Sequence, residues 1–267
     1  MLHITGRRPD GYHLLQTVFQ FVDLYDEMKI QTTEDGLIER VDSHSAIAEC
    51  DDIVIAAARI LQKQYQVNQG ALISIDKRIP IGGGLGGGSS NAATTLLALN
   101  RLWGLNLEPS ELAAIGLNLG ADVPVFILGE ASWATGIGEE LSPVVLNEPW
   151  YLVIYPGVQV STAEIFKTEE LTRDSDAITI RDFLRGAGRN DCEKVACKLY
   201  PEIQQAIDWL SQFSSARMTG TGACVFAAFD SREQAEGVKS GALGHWQAFV
   251  VKAMNSNPVV EQCKMHG

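Results

Sequence analysis

Pro80-Ile81-Gly82-Gly83-Gly84-Leu85-Gly86-Gly87-Gly88-Ser89-Ser90-Asn91 is the stretch on which the reading of this chain turns. Six of the seven positions from Gly82 to Gly88 are glycine. Ala71 to Ile75 alternates as a strand and leads in through Lys77-Arg78-Ile79-Pro80. A helix is predicted from about Ser89 to Trp103, with Ala92, Ala93, Leu96, Leu97 and Leu99 as its apolar surface. Glycines let a backbone approach an oxyanion closely, and the first N–H groups of a helix point outward unpaired. The helix dipole adds about 0.3–1 kcal/mol for an exposed anion and up to about 2 kcal/mol in partly buried geometry. Ser89 and Ser90 place hydroxyls at the same mouth, suited to phosphate or to a Mg²⁺ ion. A flexible linker is the plain alternative, and the flanking strand and helix argue against it.

Two familiar loop types fail here. A Walker A loop ends in Gly-Lys-Ser/Thr, whereas Gly88 meets Ser89 directly. A dinucleotide fingerprint is matched literally by Gly82, Gly84 and Gly87, with Glu108 about 20 residues on. But Glu108 begins a helix in Leu107-Glu108-Pro109-Ser110, and a ribose-binding acid should end a strand.

Outward from this window the chain alternates between strand and helix. Leu14 to Leu24 and Glu27 to Gln31 read as extended segments, and Arg8-Pro9-Asp10-Gly11 reads as a turn. Asp51 to Tyr65 is an amphipathic helix that Asp51 or Asp52 can cap. Ser110 is expected to cap a helix through Leu119 that Gly120 ends, with Ala121-Asp122-Val123-Pro124 as a tight junction. Trp150 to Tyr155 is a buried-type strand. Helical stretches follow over about Ile178 to Leu184 and Asp191 to Phe213. Thr219-Gly220-Thr221-Gly222-Ala223-Cys224 is a second glycine turn feeding the strand Val225 to Phe229. Arg232 to Ser240 as a helix and Phe249 to Ala253 as a strand close the chain. This order argues for an α+β, two-lobed architecture.

Composition bounds the function. The 267 residues carry 33 acidic and 21 basic side chains, a formal net charge of −12. That disfavours a nucleic-acid partner, which needs clustered Lys and Arg, and it disfavours an anionic membrane surface. Hydrophobic content of 46% and charged content of 20% are those of a globular chain. No apolar run is long enough to span a membrane, and the start is not a secretory signal. The five scattered cysteines form no CxxC and fit thiols in a reducing cytosol, and the five histidines lack zinc-site pairing.

Four segments in order resemble the GHMP kinases. They are Thr5-Gly6-Arg7-Arg8-Pro9-Asp10-Gly11-Tyr12-His13, the glycine window through Ala93, Gly120-Ala121-Asp122-Val123-Pro124-Val125-Phe126, and Thr219-Gly220-Thr221-Gly222-Ala223. The resemblance covers nearly the whole chain. It implies an ATP-binding N-terminal domain over 1–147, like domain 2 of ribosomal protein S5, and a ferredoxin-like C-terminal domain over 148–267. The implied activity is ATP-dependent phosphorylation of the 2-hydroxyl of a cytidyl-diphosphate methylerythritol in the non-mevalonate isoprenoid route. Homoserine or mevalonate as acceptor, or a nucleotide-binding fragment with little catalysis, are the alternatives. ATP and Mg²⁺ are the implied cofactors, with no certain protein metal ligand. A small-molecule partner, a bacterial cytoplasmic setting and a monomer or weak homodimer complete the expectation.

The resemblance also assigns residues. Asp122, by position alone an ordinary cap or turn aspartate, matches the family's general base. Pro80, Ile81, Gly82, Gly83, Gly84, Leu85, Gly86, Gly87, Gly88, Ser89 and Ser90 match the ATP-phosphate loop. Lys77 and Asp52 lie where the family shapes its adenine pocket, Asp52 in place of a common Asn. Tyr12 and Phe166 match positions that sandwich the base, and His13 the residue that reads its edge; alone, Phe166 reads as core. Thr162 lies in the same loop as Phe166. Thr219 and Gly220 belong to the second glycine motif, otherwise a plain strand turn.

GHMP kinases begin with a Pro-Ala-Lys-Leu-Asn-type strand whose Lys pairs with the catalytic Asp. Here Met1-Leu2-His3 opens the sequence and no lysine precedes Lys29. The expectation is a start downstream of the natural one or a shortened product, with an unpaired sheet edge. A polypeptide beginning at Met1 should then turn over about 10²–10³-fold more slowly than one extended by such a strand. Equal ADP release from the two would overturn this.

Overall fold

The computed structural model describes residues 1–41 and 52–265. The expectations for Asp51, Cys50, His44 and His266 lie outside them. Along the chain the elements are β1 (Leu2–Arg7), β2 (His13–Phe19), β3 (Phe21–Val22), β4 (Glu27–Thr33), β5 (Ile38–Arg40), α1 (Ile53–Gln64), β6 (Gly70–Asp76), α2 (Gly87–Leu102), α3 (Pro109–Leu117) and α4 (Val123–Leu128). There follow β7 (Ser132–Thr135), β8 (Glu140–Pro143), β9 (Trp150–Tyr155), α5 (Thr162–Lys167), α6 (Ile180–Leu184), α7 (Glu193–Leu199), α8 (Pro201–Leu210), β10 (Ala216–Met218), β11 (Val225–Phe229), α9 (Arg232–Ala242), β12 (Gln247–Met254) and α10 (Pro258–Met265).

Two compact units arise, each from three chain segments. The first comprises Met1–Leu24, Pro80–Leu85 and Ala131–Asn255. It holds a four-stranded sheet, β1-β2-β7-β8, and a five-stranded sheet, β10-β11-β9-β12-β3. Central β9 shows why Trp150 to Tyr155 reads as apolar without alternation. Leu152 and Ile154 enter one buried cluster with Ile165 and Ile203, while Val153 packs from the other face with Val251 and Cys224. A strand covered on both faces has no polar side to show.

The outer side of β1 is not bare, contrary to the expected unpaired edge. Leu2 N–H donates to the Arg189 carbonyl at 2.9 Å, and Asp191 N–H donates to the Leu2 carbonyl at 2.9 Å. Further along, Ile4 N–H donates to Asp191 Oδ2 at 2.8 Å and Ser175 N–H to the Ile4 carbonyl at 2.9 Å.

The second unit comprises Tyr25–Ile79, Gly86–Glu130 and Ser256–Gly267. Its sheet is β4-β6-β5, and α1, α2, α3, α4 and α10 belong to the same unit. On β6, Ala71, Ile73 and Ile75 are buried while Leu72 and Ser74 are only partly so, the alternation expected of a one-faced strand. With them Ile55, Leu61, Leu96, Leu99, Leu112 and Ile127 form one core.

Three boundaries differ from the expectation. First, α2 begins at Gly87, inside the glycine run, because Gly86 takes φ +69° as its N-cap. Second, Glu108 rather than Ser110 caps α3: Pro109 supplies a ready φ at the first position and Glu111 completes a capping box. Third, the helix expected over Asp191 to Phe213 is two. Tyr200 stands at φ −129° and ψ 84°, because the residue before Pro201 is excluded from helical geometry. Cys192, Cys197, Cys224 and Cys263 are free thiols. Burial pushes the thiols of Cys192 and Cys224 up to about 12, so both stay protonated. Among the described residues no helix is long and apolar enough to cross a membrane.

Candidate active site

In the second unit, the start of α2 is built to leave donors free. No side chain caps it and no acidic residue occupies its first turn. The earliest N–H to return into the chain is that of Ser90, to the Gly86 carbonyl at 2.8 Å. Gly87, Gly88 and Ser89 therefore keep N–H groups without a protein acceptor among the described residues. Gly120 lies beside this mouth: a Cβ built on it would stand 3.9 Å from Ser89 Oγ.

Two residues beyond Gly120, Asp122 occupies the N-cap position of α4. Its carboxylate makes no capping bond. The tight junction expected here is thus a helix start with its aspartate unused. Asp122 has an exposed surface, yet the protein around its carboxyl disfavours the charged form and raises its pKa. A carboxylate that makes no cap bond, has no partner among the described residues and is more basic than usual is suited to accept a proton.

Asp26, unnoticed in the sequence, organises the approach to the glycine window. Its side chain is fully buried. It pairs with Lys77 and accepts from Arg78 N–H at 2.8 Å, Ile79 N–H at 2.9 Å and Asn91 Nδ2 at 2.8 Å. Burial alone would raise its pKa, but the bonds from Lys77, the two backbone groups and Asn91 hold it below the usual carboxylate range. Asp52 sits apart: it caps α1 through Val54 N–H at 2.9 Å and pairs with Arg40 at 2.5 Å. No hydrogen bond joins it to Lys77.

In the first unit, Pro80–Leu85 lies against the second glycine motif. Cys224 N–H donates to the Gly83 carbonyl at 2.9 Å and the Thr219 hydroxyl to the same oxygen at 3.3 Å. Gly84 has φ +70°, and a Cβ there would overlap the Gly222 carbonyl. Asn190 Nδ2 ties down the motif through the carbonyls of Met218 at 3.1 Å and Gly220 at 2.7 Å. Thr162 shares a 2.8 Å hydrogen bond with Thr221. Ile81 and Gly82 are exposed, while Pro80 and Leu85 are half-buried.

The same unit brings His13 and Phe166 together as stacked rings, 4.8 Å between centroids and 22° between planes. It does not bring Tyr12 onto Phe166; Tyr12 stands 60% exposed.

The pattern of the GHMP kinases N terminal domain matches residues 52–130, and that of the GHMP kinases C terminal matches residues 168–246. The chain belongs to the GHMP kinase family. A 4-diphosphocytidyl-2-C-methyl-D-erythritol kinase of Nitrosococcus oceani is 54% identical over 254 residues, 95% of this chain and 91% of that protein. A kinase of the same name from Hahella chejuensis is 49% identical, covering 98% of this chain and 93% of its own length. A crystal structure of 4-(cytidine 5'-diphospho)-2C-methyl-D-erythritol kinase superposes with TM-score 0.82 at 28% identity, covering 94% of each chain.

As a GHMP kinase the chain has the family's α+β fold, and this family uses ATP. Asp26, Arg173 and Asn190 are the residues that sequence reasoning misses, and Thr221 stands in it only as part of the glycine motif. Asn91 stands in the sequence only as the end of the glycine motif. Asp26 stands beside Glu27 and three residues after Asp23, and nothing in the sequence singles it out from them.

The lowered pKa of Asp26 sets a pH dependence. The unfolded chain takes up this proton at the ordinary carboxylate value of about 4, the folded chain only at lower pH. Its contribution to stability is complete above about pH 4 and is lost as pH falls through the folded value. Asp26→Asn should flatten the acid limb of a denaturation-against-pH curve below about pH 4. An unchanged limb would exclude Asp26 as its source.

Proposed function

We propose that this chain transfers the γ-phosphoryl group of ATP to the 2-hydroxyl of 4-diphosphocytidyl-2-C-methyl-D-erythritol. One observation carries the catalytic half of this reading. The uncapped start of α2 lies beside the Gly120 junction that delivers Asp122. Phosphoryl transfer asks for alignment and charge stabilisation more than for covalent chemistry. The N–H groups of Gly87, Gly88 and Ser89 offer fixed donors to phosphate oxygens. Asp122 takes the proton of the attacking hydroxyl as the new oxygen–phosphorus bond forms and ADP leaves with the electrons of the broken one. The cytidyl methylerythritol compound as acceptor is supported by the names of the relatives, and its 2-hydroxyl by the resemblance of the sequence motifs to the family.

The base half of the proposal places the cytosine with Tyr12, His13 and Phe166, with Thr162, Thr219 and Gly220 on the substrate side. The His13–Phe166 stack supports it by holding one aromatic face ready. Lys77 serves the adenine side through its bond to Asp26, and Asp52 through the start of α1. The proposed halves, 1–147 for ATP and 148–267 for the C-terminal domain, are supported by family matches falling on either side of residue 147, whereas the compact units are not cut there: Met1–Leu24 and Pro80–Leu85 belong with Ala131–Asn255.

Mg²⁺ belongs to the same proposal. Among the described residues no group of three His, Cys, Asp or Glu side chains forms a cage for a metal. A Mg²⁺ held mainly by phosphates and water needs only one or two protein ligands, and the Ser89 and Ser90 hydroxyls fit that demand. When bound it neutralises phosphate charge. A cytoplasmic setting and a monomer or weak dimer complete the proposal.

Asp122→Asn should lower kcat by about 10²–10⁴-fold and leave ATP affinity unchanged, measured by ADP release and calorimetry. Because the Asp122 pKa is raised, the acid limb of kcat/KM should lie above the ordinary carboxylate pKa of about 4 and vanish in the variant. An acceptor panel decides the substrate. Turnover of homoserine or mevalonate with none of the cytidyl compound would refute the reading, as would ATP binding without any turnover.

A further inference from the structure

Arg173 lies between α5 and α6, and its guanidinium is spent in an unusual way. Nη2 donates to the carbonyls of Phe166 at 3.0 Å and Thr168 at 2.8 Å. Nη1 donates to those of Leu171 at 3.1 Å and Glu169 at 3.4 Å. Nε donates to His13 Nε2 at 3.1 Å. No carboxylate among the described residues pairs with it. All five N–H donors are used, four on carbonyls at the end of α5 and in the turn after it, and the fifth on an imidazole; Thr162 and Phe166, expected in one loop, both lie in α5.

That fifth bond has a chemical consequence. A guanidinium only donates, so His13 Nε2 must accept and cannot carry a proton. The ring is then neutral with its hydrogen on Nδ1. Burial, followed by the charges of Arg173 and Arg7, lowers the His13 pKa and favours the same neutral form. Stacking on Phe166 fixes the plane of the ring. Nδ1 has no hydrogen-bond partner among the described residues, so it is an oriented N–H donor with nothing yet to meet.

Pyrimidine bases differ at N3, which is a bare acceptor in cytosine and an N–H donor in uracil. We infer that Arg173 is a positioning residue that locks His13 as the Nδ1–H tautomer and thereby makes the base site select cytosine over uracil. This rests on the reading of His13 as the base-facing residue given above. Loss of Arg173 frees His13 to move its proton to Nε2 and to accept from a uracil N3–H. Selectivity is then set by a residue that does not touch the base.

Two measurements test it, and neither needs catalysis. Nitrogen-15 NMR of the unliganded chain should show His13 protonated at Nδ1, and Arg173→Met should shift population to Nε2–H. Nε2–H in the wild-type chain overturns the inference, whether or not the variant folds. Calorimetry should show wild-type chain binding CDP more tightly than UDP, with the ratio falling about 10- to 100-fold in Arg173→Met. Arg173→Lys, which still donates to Nε2, should retain much of the ratio. Equal weakening of CDP and UDP in Arg173→Met would mean that Arg173 only holds the loop, and would overturn the selectivity claim. Failure to phosphorylate the methylerythritol compound, with both results intact, would count against the proposed reaction alone.

Discussion

The rest of the second unit depends on one awkward helix end. A glycine N-cap at φ +69° and two glycines in the first turn make the start of α2 a poor place to begin a helix. Each interior glycine costs roughly 1 kcal/mol relative to alanine. No capping side chain offsets this. Stability has to come from the far side of the helix, where Ala92, Ala93, Leu96, Leu97 and Leu99 are buried. Fully burying one leucine is worth about 1.5–3 kcal/mol, so a few such residues outweigh the weak start. Asn91, held by Asp26, anchors the turn where the glycines stop and the apolar face begins. The free donors exist because the core elsewhere can sustain them.

This arrangement resolves the apparent conflict between a net charge of −12 and the two anionic ligands proposed above. Net charge governs long-range behaviour, while a phosphate at the mouth of α2 meets local dipoles. Lys77 does not supply a free cation there, because Asp26 is already bonded to it. The buried carboxylate and its lysine act as one neutral bracket joining the end of the β6 segment to α2. Arg173 follows a similar economy in the first unit, giving its donors to carbonyls and an imidazole.

Sequence reading captured what local pattern encodes. The glycine window, the amphipathic α1 and the alternating β6 each declare themselves within a dozen residues. Pro201 is a local signal for the break between α7 and α8, although the apolar periodicity runs across it. At α3, Pro109 marked the first helical position and so pointed to Glu108 rather than Ser110. Other features had no local signal. Asp26 meets Lys77 and Asn91 from 51 and 65 residues away, and Arg173 meets His13 across 160. Such pairings are products of the tertiary fold, and no spacing rule reaches that far. The resemblance named His13 and Phe166 but not their mutual stack.

The closeness of Gly84 to the Gly222 carbonyl carries a lesson about how this region can be probed at all. What matters there is the absence of an atom. Truncating side chains one at a time, the usual way to rank residues, has nothing to remove from a run of glycines and would score the loop as silent. Its importance becomes visible only by addition, when a single methyl group forces two backbone segments apart. Tolerance to trimming and intolerance to growth are therefore the mutational fingerprint of this part of the molecule.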